Sequence, residues 1–400
     1  MTRILFYANC LGKGGAHHSA LTWFELLRDT GRFELEILCH SESWFTEQLR
    51  KRGFSYSLLP MPDALARIRH GQWKNKLRTA WSAVAAVPRL MNAWWHVAFK
   101  NPDIVVLTGG RDFIMLFPLA LRKRHASFTV PQTTDWGEIP TCKLMCKVAE
   151  KTFAISKEVG ESIRRMGIPT SKIEVLPMIF TQDYGKSTRA PASLRDELRL
   201  GNDGPVLAMA GVVRPHKGQL DAVRVLNFLL KRQLNARLLI IGAPPADAPE
   251  AVEYYDRVQR YVADSKLGQH VHFLGWRSDI PMILREANFL LVPSHDYEGV
   301  PRVILEGLEA GVPVVGSELP QFKDVLLEAG TGTLCPLDEP ERWAEAIDSL
   351  WVNQLAYAQA RSDARQAWEN YYSAEAARSR LLPAIERLAP PRLTPATSRA

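Results

Sequence analysis

The chain has 400 residues, of which 46% are hydrophobic and 23% charged, and a formal net charge of +7. This length exceeds what one hydrophobic core usually serves, and the composition excludes a disordered chain and a fibrous repeat. The positive charge favours an anionic partner, which leaves nucleic acid, a phosphorylated small molecule and an acidic membrane surface open.

Two features of the chain bear on where the protein works. The apolar opening of the sequence is short and runs directly into a glycine turn, which favours a first strand over a signal peptide. The least charged stretch, residues 79–99, contains Pro88, Arg89, Asn92 and His96, so a membrane-spanning helix is not expected. We therefore expect a cytoplasmic protein.

The five cysteines are an odd number, scattered through a large chain. This pattern does not make a disulfide framework, and we expect the thiols to be reduced. Cys142 and Cys146 lie one helical turn apart, but no second pair with ligand spacing accompanies them. No metal site is predicted.

Apolar segments typical of strands alternate with helical patterns along the whole chain. They occupy residues 3–10, 34–40, 103–109, 127–133, 151–157, 204–212, 236–243, 271–276, 289–294 and 312–317. Such alternation predicts parallel sheets flanked by helices, one sheet in each half. We expect an α/β fold of two Rossmann-like, doubly wound domains facing a central cleft, with ligands bound by the loops that follow the strands.

A polar segment broken by Pro and Gly separates the two halves at residues 181–204. We predict an N-terminal domain over residues 1–180, a linker over 181–204 and a C-terminal domain over 205–370. Residues 371–400 are predicted to form a helix and a tail, with the helix packing back on the N-terminal domain.

Glycines follow the first predicted strand, at Gly12, Gly14 and Gly15. They would let backbone amides at a helix start approach an anion. The spacing matches neither G-x-G-x-x-G nor the Walker pattern, so a plain strand-to-helix turn is the alternative.

A basic loop follows the first strand of the second half, where Gly218 closes a turn that carries Arg214 and Lys217. Two cations converging on a cleft suit a diphosphate when no metal neutralises it. The alternative is a solvated basic turn.

The most specific segment is EGVPRVILEGLEAGVPVV, residues 298–315. Pro301 can occupy the first turn of a helix, and Gly299 allows close backbone approach, so free amides at this helix start could hold a phosphate. Glu298 lies before the helix and Glu306 within it, roughly 10 Å apart at the rise of a helix.

That distance bears on what the two carboxylates can do. The acids of an inverting glycosidase flank a single glycosidic bond and usually come from separate elements, so the pair fits that role poorly. An extended ligand with hydroxyls at both ends and phosphates between them fits better, and a nucleotide diphosphate sugar has this shape.

The constellation resembles the retaining glycosyltransferases of family 4, which have the GT-B fold and carry two glutamates separated by seven residues. The resemblance runs through most of the chain and is strongest over residues 204–332, including the Lys217–Gly218 loop and the segment FLGW, residues 273–276. It implies that Glu298 contacts the donor sugar, Glu306 the ribose, Lys217 the diphosphate and the backbone near Trp276 the base.

The resemblance therefore predicts one set of site residues in this sequence. Catalytic roles are expected for Glu298, Lys217 and Arg214, and donor contacts for Gly14, Gly15, Gly275, Trp276, Gly299, Val300, Pro301 and Glu306. The N-terminal domain would bind the acceptor and the C-terminal domain the nucleotide-sugar donor.

The predicted reaction moves a sugar with retention from a nucleotide diphosphate donor to the hydroxyl of a glycan or lipid-linked acceptor, as in surface polysaccharide assembly. The sequence contains no D-x-D, in agreement with a metal-independent transferase in which Arg and Lys replace a cation. No cofactor is predicted, because the nucleotide diphosphate sugar is a substrate.

Three departures from the family pattern separate the two halves. Val212 occupies the usual place of an arginine, and Arg214, two residues later, is the candidate to replace it. Gln132 or Thr133 stands where members often have a histidine, and residues 177–180 replace the usual P-N-G-[VI]-D. Apart from Val212, the donor half keeps the pattern, whereas the acceptor half departs from it.

Other functions on the same fold remain open. These are a catalytically silent nucleotide- or glycan-binding protein, a phosphorylase and a sugar epimerase. Nucleic-acid binding is not expected as the main role, because the basic residues are not interleaved with a recognisable module.

Residues 64–100 contain seven Lys or Arg and four Trp, without one acidic side chain. Arg67, Arg69, Lys74 and Lys76 precede Trp81, and basic side chains beside aromatic ones suit an anionic membrane surface. The alternative is a helix packed on the sheet with its arginines exposed. The membrane interpretation predicts a lipid-linked acceptor and a peripheral location on the inner face of the cytoplasmic membrane.

Overall fold

The computed structural model describes residues 1–8, 15–62, 76–129, 140–176, 194–198, 200–201, 203–295, 300–327 and 330–389. The chain divides into two compact units, the first formed by Met1–Ile179 with Ala377–Ala400 and the second by Phe180–Ala376. Each unit has its own parallel sheet, with helices in the connections between strands.

The described part of the first unit contains a seven-stranded parallel sheet of order β3-β2-β1-β4-β5-β6-β7. Its strands are β1 (Thr2–Ala8), β2 (Phe33–Cys39), β3 (Ser57–Leu58), β4 (Ile104–Leu107), β5 (Arg124–Thr129), β6 (Lys151–Ala154) and β7 (Ile173–Val175). Its helices are α1 (Gly15–Arg28), α2 (Trp44–Lys51), α3 (Lys76–Ala98), α4 (Gly110–Met115), α5 (Phe117–Arg122), α6 (Pro140–Val148) and α7 (Lys157–Arg165).

The central strands of this sheet are apolar on both faces. In β4 every residue is buried, as expected for a parallel strand covered by helices on either side. Leu5 and Leu107 pack in one core cluster with Ala93 and Val97 of α3. Helix α3 therefore packs on the core of the first unit with one of its faces.

The described part of the second unit contains a six-stranded parallel sheet of order β10-β9-β8-β11-β12-β13. Its strands are β8 (Val206–Ala210), β9 (Arg237–Ile241), β10 (Val271–Gly275), β11 (Phe289–Val292), β12 (Val314–Ser317) and β13 (Gly332–Cys335). Its helices are α8 (Leu194–Glu197), α9 (Gln219–Lys231), α10 (Pro249–Asp264), α11 (Ile280–Glu286), α12 (Arg302–Glu309), α13 (Pro320–Phe322), α14 (Pro340–Val352) and α15 (Gln354–Ala367).

The last described helix, α16 (Ala374–Glu386), begins at the boundary between the units. Within the first unit its Glu386 pairs with Arg32 at 2.5 Å. The predicted domain boundaries stay a prediction, since residues 181–193, 199 and 202 of the predicted linker lie outside the described residues.

All ten segments predicted as strands overlap a strand, and the α/β prediction is confirmed. Strands β3, β7 and β13 were not predicted, and each forms an edge of its sheet. An edge strand is covered less completely than a central one, so its sequence lacks the long apolar run that marks a buried strand. Both residues of β3 are exposed accordingly.

In the described part of the chain, no helix combines the length and apolar character needed to cross a membrane. Helix α3 includes most of the nearly uncharged stretch 79–99 and contains Pro88.

Candidate functional site

The loop after β8 forms the basic turn, residues 214–218. Its short 3₁₀ helix, Pro215–Lys217, ends at Gly218, which has φ of +75° and precedes α9. A Cβ on Gly218 would lie 2.0 Å from the carbonyl oxygen of Pro293. Glycine is therefore required twice, for the left-handed backbone and for close approach to the segment after β11.

The two cations of the basic turn have different surroundings. Burial lowers the pKa of Lys217 to about 8, because a desolvated ammonium is less stable than a hydrated one. The guanidinium of Arg214 lies 3.9 Å from the carboxylate of Glu250, a long and partly exposed ion pair. An anion near Lys217 would favour its charged form, which is the behaviour expected of a phosphate-binding lysine.

Val212 occupies the place of the arginine usual in the resembling family. Its carbonyl accepts a hydrogen bond from Nε2 of the buried Gln219 at 3.2 Å, and its side chain is 38% exposed. Arg214 is the cation of this loop that stands nearest in sequence to the replaced position, and whether it substitutes stays a prediction.

A polar network joins the loops after β8 and β11. The amide of His295 donates to the carbonyl of His216 at 2.8 Å, and His295 Nε2 lies 2.6 Å from Asp221 Oδ2. The other oxygen of Asp221 accepts from Arg224 at 2.9 Å. Asp221 and His295 were not expected as site residues, because nothing in the sequence shows that residues 74 positions apart form a pair.

A pocket of about 470 Å³ opens beside this network. Its walls include His216, His295 and the guanidinium groups of Arg224 and Arg257. Arg257 lies over the ring of Tyr254, 5.1 Å from its centroid. The pocket is lined by more cationic than acidic groups and is formed within the second unit.

Helix α12 begins beside the loop after β11. Pro301 is its N-cap residue, and Gly307 lets the helix pack on β11, since a Cβ there would lie 2.6 Å from Leu290 Cδ2. Glu306 is only 3% exposed, and Arg302 Nε lies 3.0 Å from its Oε1. The sequence analysis did not select Arg302, although the spacing of four residues on a helix is a known pairing signal.

The end of β10 presents a different kind of group. Gly275 has φ of +62°, and its carbonyl accepts from the amide of Gly242 at 2.7 Å. Trp276 follows with 78% of its surface exposed. An exposed indole after a strand is available for stacking on a base, whereas the resemblance implied contacts from the backbone there.

The structure describes the predicted donor residues in part. Seven of them lie in one unit and follow or lie near the carboxyl ends of β8, β10 and β11. They are Arg214, Lys217, Gly275, Trp276, Val300, Pro301 and Glu306. Gly14, Glu298 and Gly299 lie outside the described residues, and Gly15 is the first residue of α1. The roles of all these residues stay predictions.

The structure describes even fewer of the predicted membrane residues than of the donor residues. Arg67, Arg69 and Lys74 lie outside the described residues. Lys76 is the first residue of α3 and Trp81 lies within the helix, but the structure describes only the backbone of these two residues.

The described cysteines are buried thiols. Cys142 and Cys146 lie in the core of the first unit, and burial raises the pKa of Cys142 to about 11. In the described ranges, no three His, Cys, Asp or Glu side chains are grouped so that they could hold a metal ion. The prediction of no metal site stays a prediction.

Two Rossmann-like units, each built on a parallel sheet, define the class of fold, and solved structures confirm it as GT-B. The structure of Anabaena Alr3699/HepE in complex with UDP superposes with a TM-score of 0.76 at 15% identity, covering 97% of this chain and 100% of that one. At this identity the likeness shows the fold alone.

Residues 192–368 match the family described as Glycosyl transferases group 1. The matched segment contains the basic turn, the end of β10 and α12.

Two relatives extend the similarity beyond this segment. The GDP-mannose-dependent alpha-(1-6)-phosphatidylinositol monomannoside mannosyltransferase of Mycolicibacterium smegmatis is 24% identical over 73% of this chain and 72% of that protein. The D-inositol 3-phosphate glycosyltransferase of Xylanimonas cellulosilytica is 28% identical over 56% of this chain and 54% of that protein. The chain thus spans little more than half of the second relative.

Proposed function

We propose that the chain is a metal-independent retaining glycosyltransferase that moves a sugar from a nucleotide diphosphate sugar to an acceptor hydroxyl. One observation carries the proposal. The segment that matches the family places Lys217 and Arg214 after β8, beside the segment after β11 that leads to α12 and Glu306. Cations and a helix start are the groups that a diphosphate requires.

The described residues support a division of roles along the donor. Lys217 and Arg214 balance the charge that develops on the leaving diphosphate, together with the amides at the start of α12. Glu306 binds the ribose hydroxyls, with its carboxylate fixed by Arg302. Trp276 is assigned to the base, and Glu298, which lies outside the described residues, is assigned to the sugar from the family resemblance alone.

The reaction then needs little acid or base from the protein. The leaving phosphate accepts the proton of the attacking hydroxyl, and the acceptor attacks from the same face of the sugar. The enzyme contributes orientation of both substrates and fixed positive charge, which are large terms in catalysis. Arg and Lys supply that charge in place of a metal cation.

The acceptor is proposed to be a lipid-linked or phosphoinositol-containing molecule. The names of the two relatives specify a phosphatidylinositol monomannoside and an inositol phosphate as their acceptors. An acceptor of the first kind would hold the protein at the cytoplasmic membrane surface, with the N-terminal domain binding it.

A ligand panel tests the proposal and identifies the donor. Purified protein is heated with UDP-, GDP- and ADP-sugars, one of which should raise the melting temperature, because a ligand at 100 times its Kd stabilises by about 2.7 kcal/mol. Analysis of products with phosphatidylinositol and inositol phosphate as acceptors then separates transfer from epimerisation and phosphorolysis. Nucleotide binding with no turnover would favour the silent binding protein, and no stabilisation by any donor would contradict both.

A further inference from the structure

Helix α3 presents a row of large apolar side chains to solvent. Val87, Met91 and Trp95 follow one another at intervals of four residues, and Phe99 continues the row just beyond the helix. Their exposed fractions are 47%, 60%, 67% and 72% in that order. Residues four apart share one side of a helix, and the row runs for about 18 Å.

The opposite side of the helix is buried. Ala93 and Val97 are 4% and 0% exposed and pack in the core of the first unit. The adjacent tryptophans divide accordingly: Trp94 donates its indole N–H to the carbonyl of Ile114 at 2.8 Å, whereas Trp95 points to solvent. Packing of α3 on the sheet therefore uses one face and leaves a second apolar face uncovered.

The exposed row has its own internal order. The rings of Trp95 and Phe99 meet edge to face, with centroids 5.0 Å apart. Leu121 adds a further side chain, 58% exposed, at the end of α5. Arg122 donates to the carbonyl of Ala98 at 2.9 Å and holds that end of α5 to α3. An apolar patch that is continuous and ordered usually marks an interaction site.

The positive charge of the chain around α3 indicates an anionic partner for the apolar row. No acidic residue occurs between Asp63 and Asp103, whereas the stretch between them carries seven Lys or Arg. Arg89 is exposed and forms no ion pair within the described chain. Cations beside exposed aromatic and aliphatic side chains are typical of a helix lying in the headgroup region of an anionic bilayer.

We propose that the apolar row of Val87, Met91, Trp95 and Phe99 inserts into the surface of an anionic lipid bilayer, with Arg89 at the level of the lipid phosphates. This inference rests on the proposed function in one respect, since a lipid-linked acceptor gives the enzyme a reason to dock there. The residues that carry it are not donor residues, and they lie in the first compact unit, whereas Arg214, Lys217 and Glu306 lie in the second.

Flotation of the full-length chain with vesicles tests the proposal. We compare phosphatidylcholine vesicles with vesicles that also contain phosphatidylglycerol, and expect binding only to the second, weakening as salt rises. The triple variant Met91→Ser, Trp95→Ser, Phe99→Ser should lose at least tenfold in partitioning, and Arg89→Glu several-fold. The matched control Val352→Ser, Leu355→Ser changes side chains 69% and 85% exposed in the second unit and should bind as the wild type does.

A second measurement separates this inference from the proposed function. Stabilisation by UDP or GDP should be equal in the wild type and the triple variant, because the row is not part of the donor site. Vesicle binding without nucleotide stabilisation would support the docking surface and count against the proposed function.

Three results would overturn the docking surface. The first is equal binding of the wild type to both kinds of vesicle, and the second is full binding by the triple variant. The third is a concentration-dependent dimer that the triple variant abolishes, without vesicle binding, which would assign the row to a second copy of the chain.

Discussion

Lys217 connects burial with ligand binding at the scale of one residue. Its pKa near 8 means that the free protein loses this charge as pH rises from 7 to 9. We predict that the Kd for the nucleotide rises over this window, measured by calorimetry. Lys217→Arg stays protonated and should show a flat profile, which also corrects for ionisation of the nucleotide itself.

The free energy of unfolding should rise with pH over a range in which the affinity for the nucleotide falls. The unfolded chain keeps the Lys217 proton up to its ordinary pKa of 10.5, so between about 8 and 10.5 it binds more protons than the folded chain. This lysine therefore contributes a rising free energy of unfolding while nucleotide affinity falls. Parallel changes of the two quantities in the wild type would contradict the assignment.

The Arg302–Glu306 pair makes a second prediction at the residue scale. Arg302→Met leaves a nearly buried carboxylate without this cation and should lower the free energy of unfolding by about 3 kcal/mol, since breaking a buried pair is costly. Arg164→Met removes an exposed partner of Glu161 and should cost far less, because solvent screens that ion pair. Urea denaturation of both variants checks this.

The double variant Arg302→Met, Glu306→Gln should recover part of the lost stability, because no uncompensated charge then remains. Equal losses for Arg302→Met and Arg164→Met would mean that the burial of Glu306 has no energetic consequence.

The basic turn makes a prediction at the scale of an element. Gly218→Ala places a Cβ in a left-handed backbone and against the Pro293 carbonyl, so the turn must move. We expect a loss of at least about 2 kcal/mol in stability and weaker nucleotide binding. Gly268→Ala, where a Cβ meets nothing within 4 Å, is the matched control. Wild-type nucleotide affinity in Gly218→Ala would show that the turn does not position the anion site.

The elements differ in how far the sequence could predict them. Central strands such as β4 and β11 are buried on both faces and read as continuous apolar runs, so they were found. The edge strands β3 and β7 are short and half exposed, and their pairing depends on neighbours distant in the chain. Their sequences alone carry too little pattern to distinguish them from loops.

The residues of the candidate site also differ in how far the sequence could predict them. Lys217 and Glu306 could be proposed from the sequence because glycine and proline mark their turns and spacing links them to a known family, and their roles stay predictions. The contact between Asp221 and His295 forms only when the loops after β8 and β11 meet in the folded sheet. Charge and tryptophan content predicted a membrane surface for residues 64–100, but the exposed row within them was not predicted, because apolar spacing on a helix does not show which face the core covers.

At the scale of the whole molecule, the two units have different proposed roles. The second unit includes the whole of the family match and the proposed diphosphate site. The first unit carries the apolar row that we assign to a lipid surface. The proposed function requires both, since donor chemistry and access to a lipid-linked acceptor belong to one reaction.

The anomeric configuration of the first product tests the central claim most directly. The donor identified by thermal stabilisation is incubated with the protein, and the sugar transferred to acceptor or to water is followed by NMR before it mutarotates. The account predicts the same configuration as in the donor, and a severe loss of this signal in Glu298→Gln while nucleotide binding persists. The inverted configuration, or turnover in Glu298→Gln equal to that of the wild type, would contradict it.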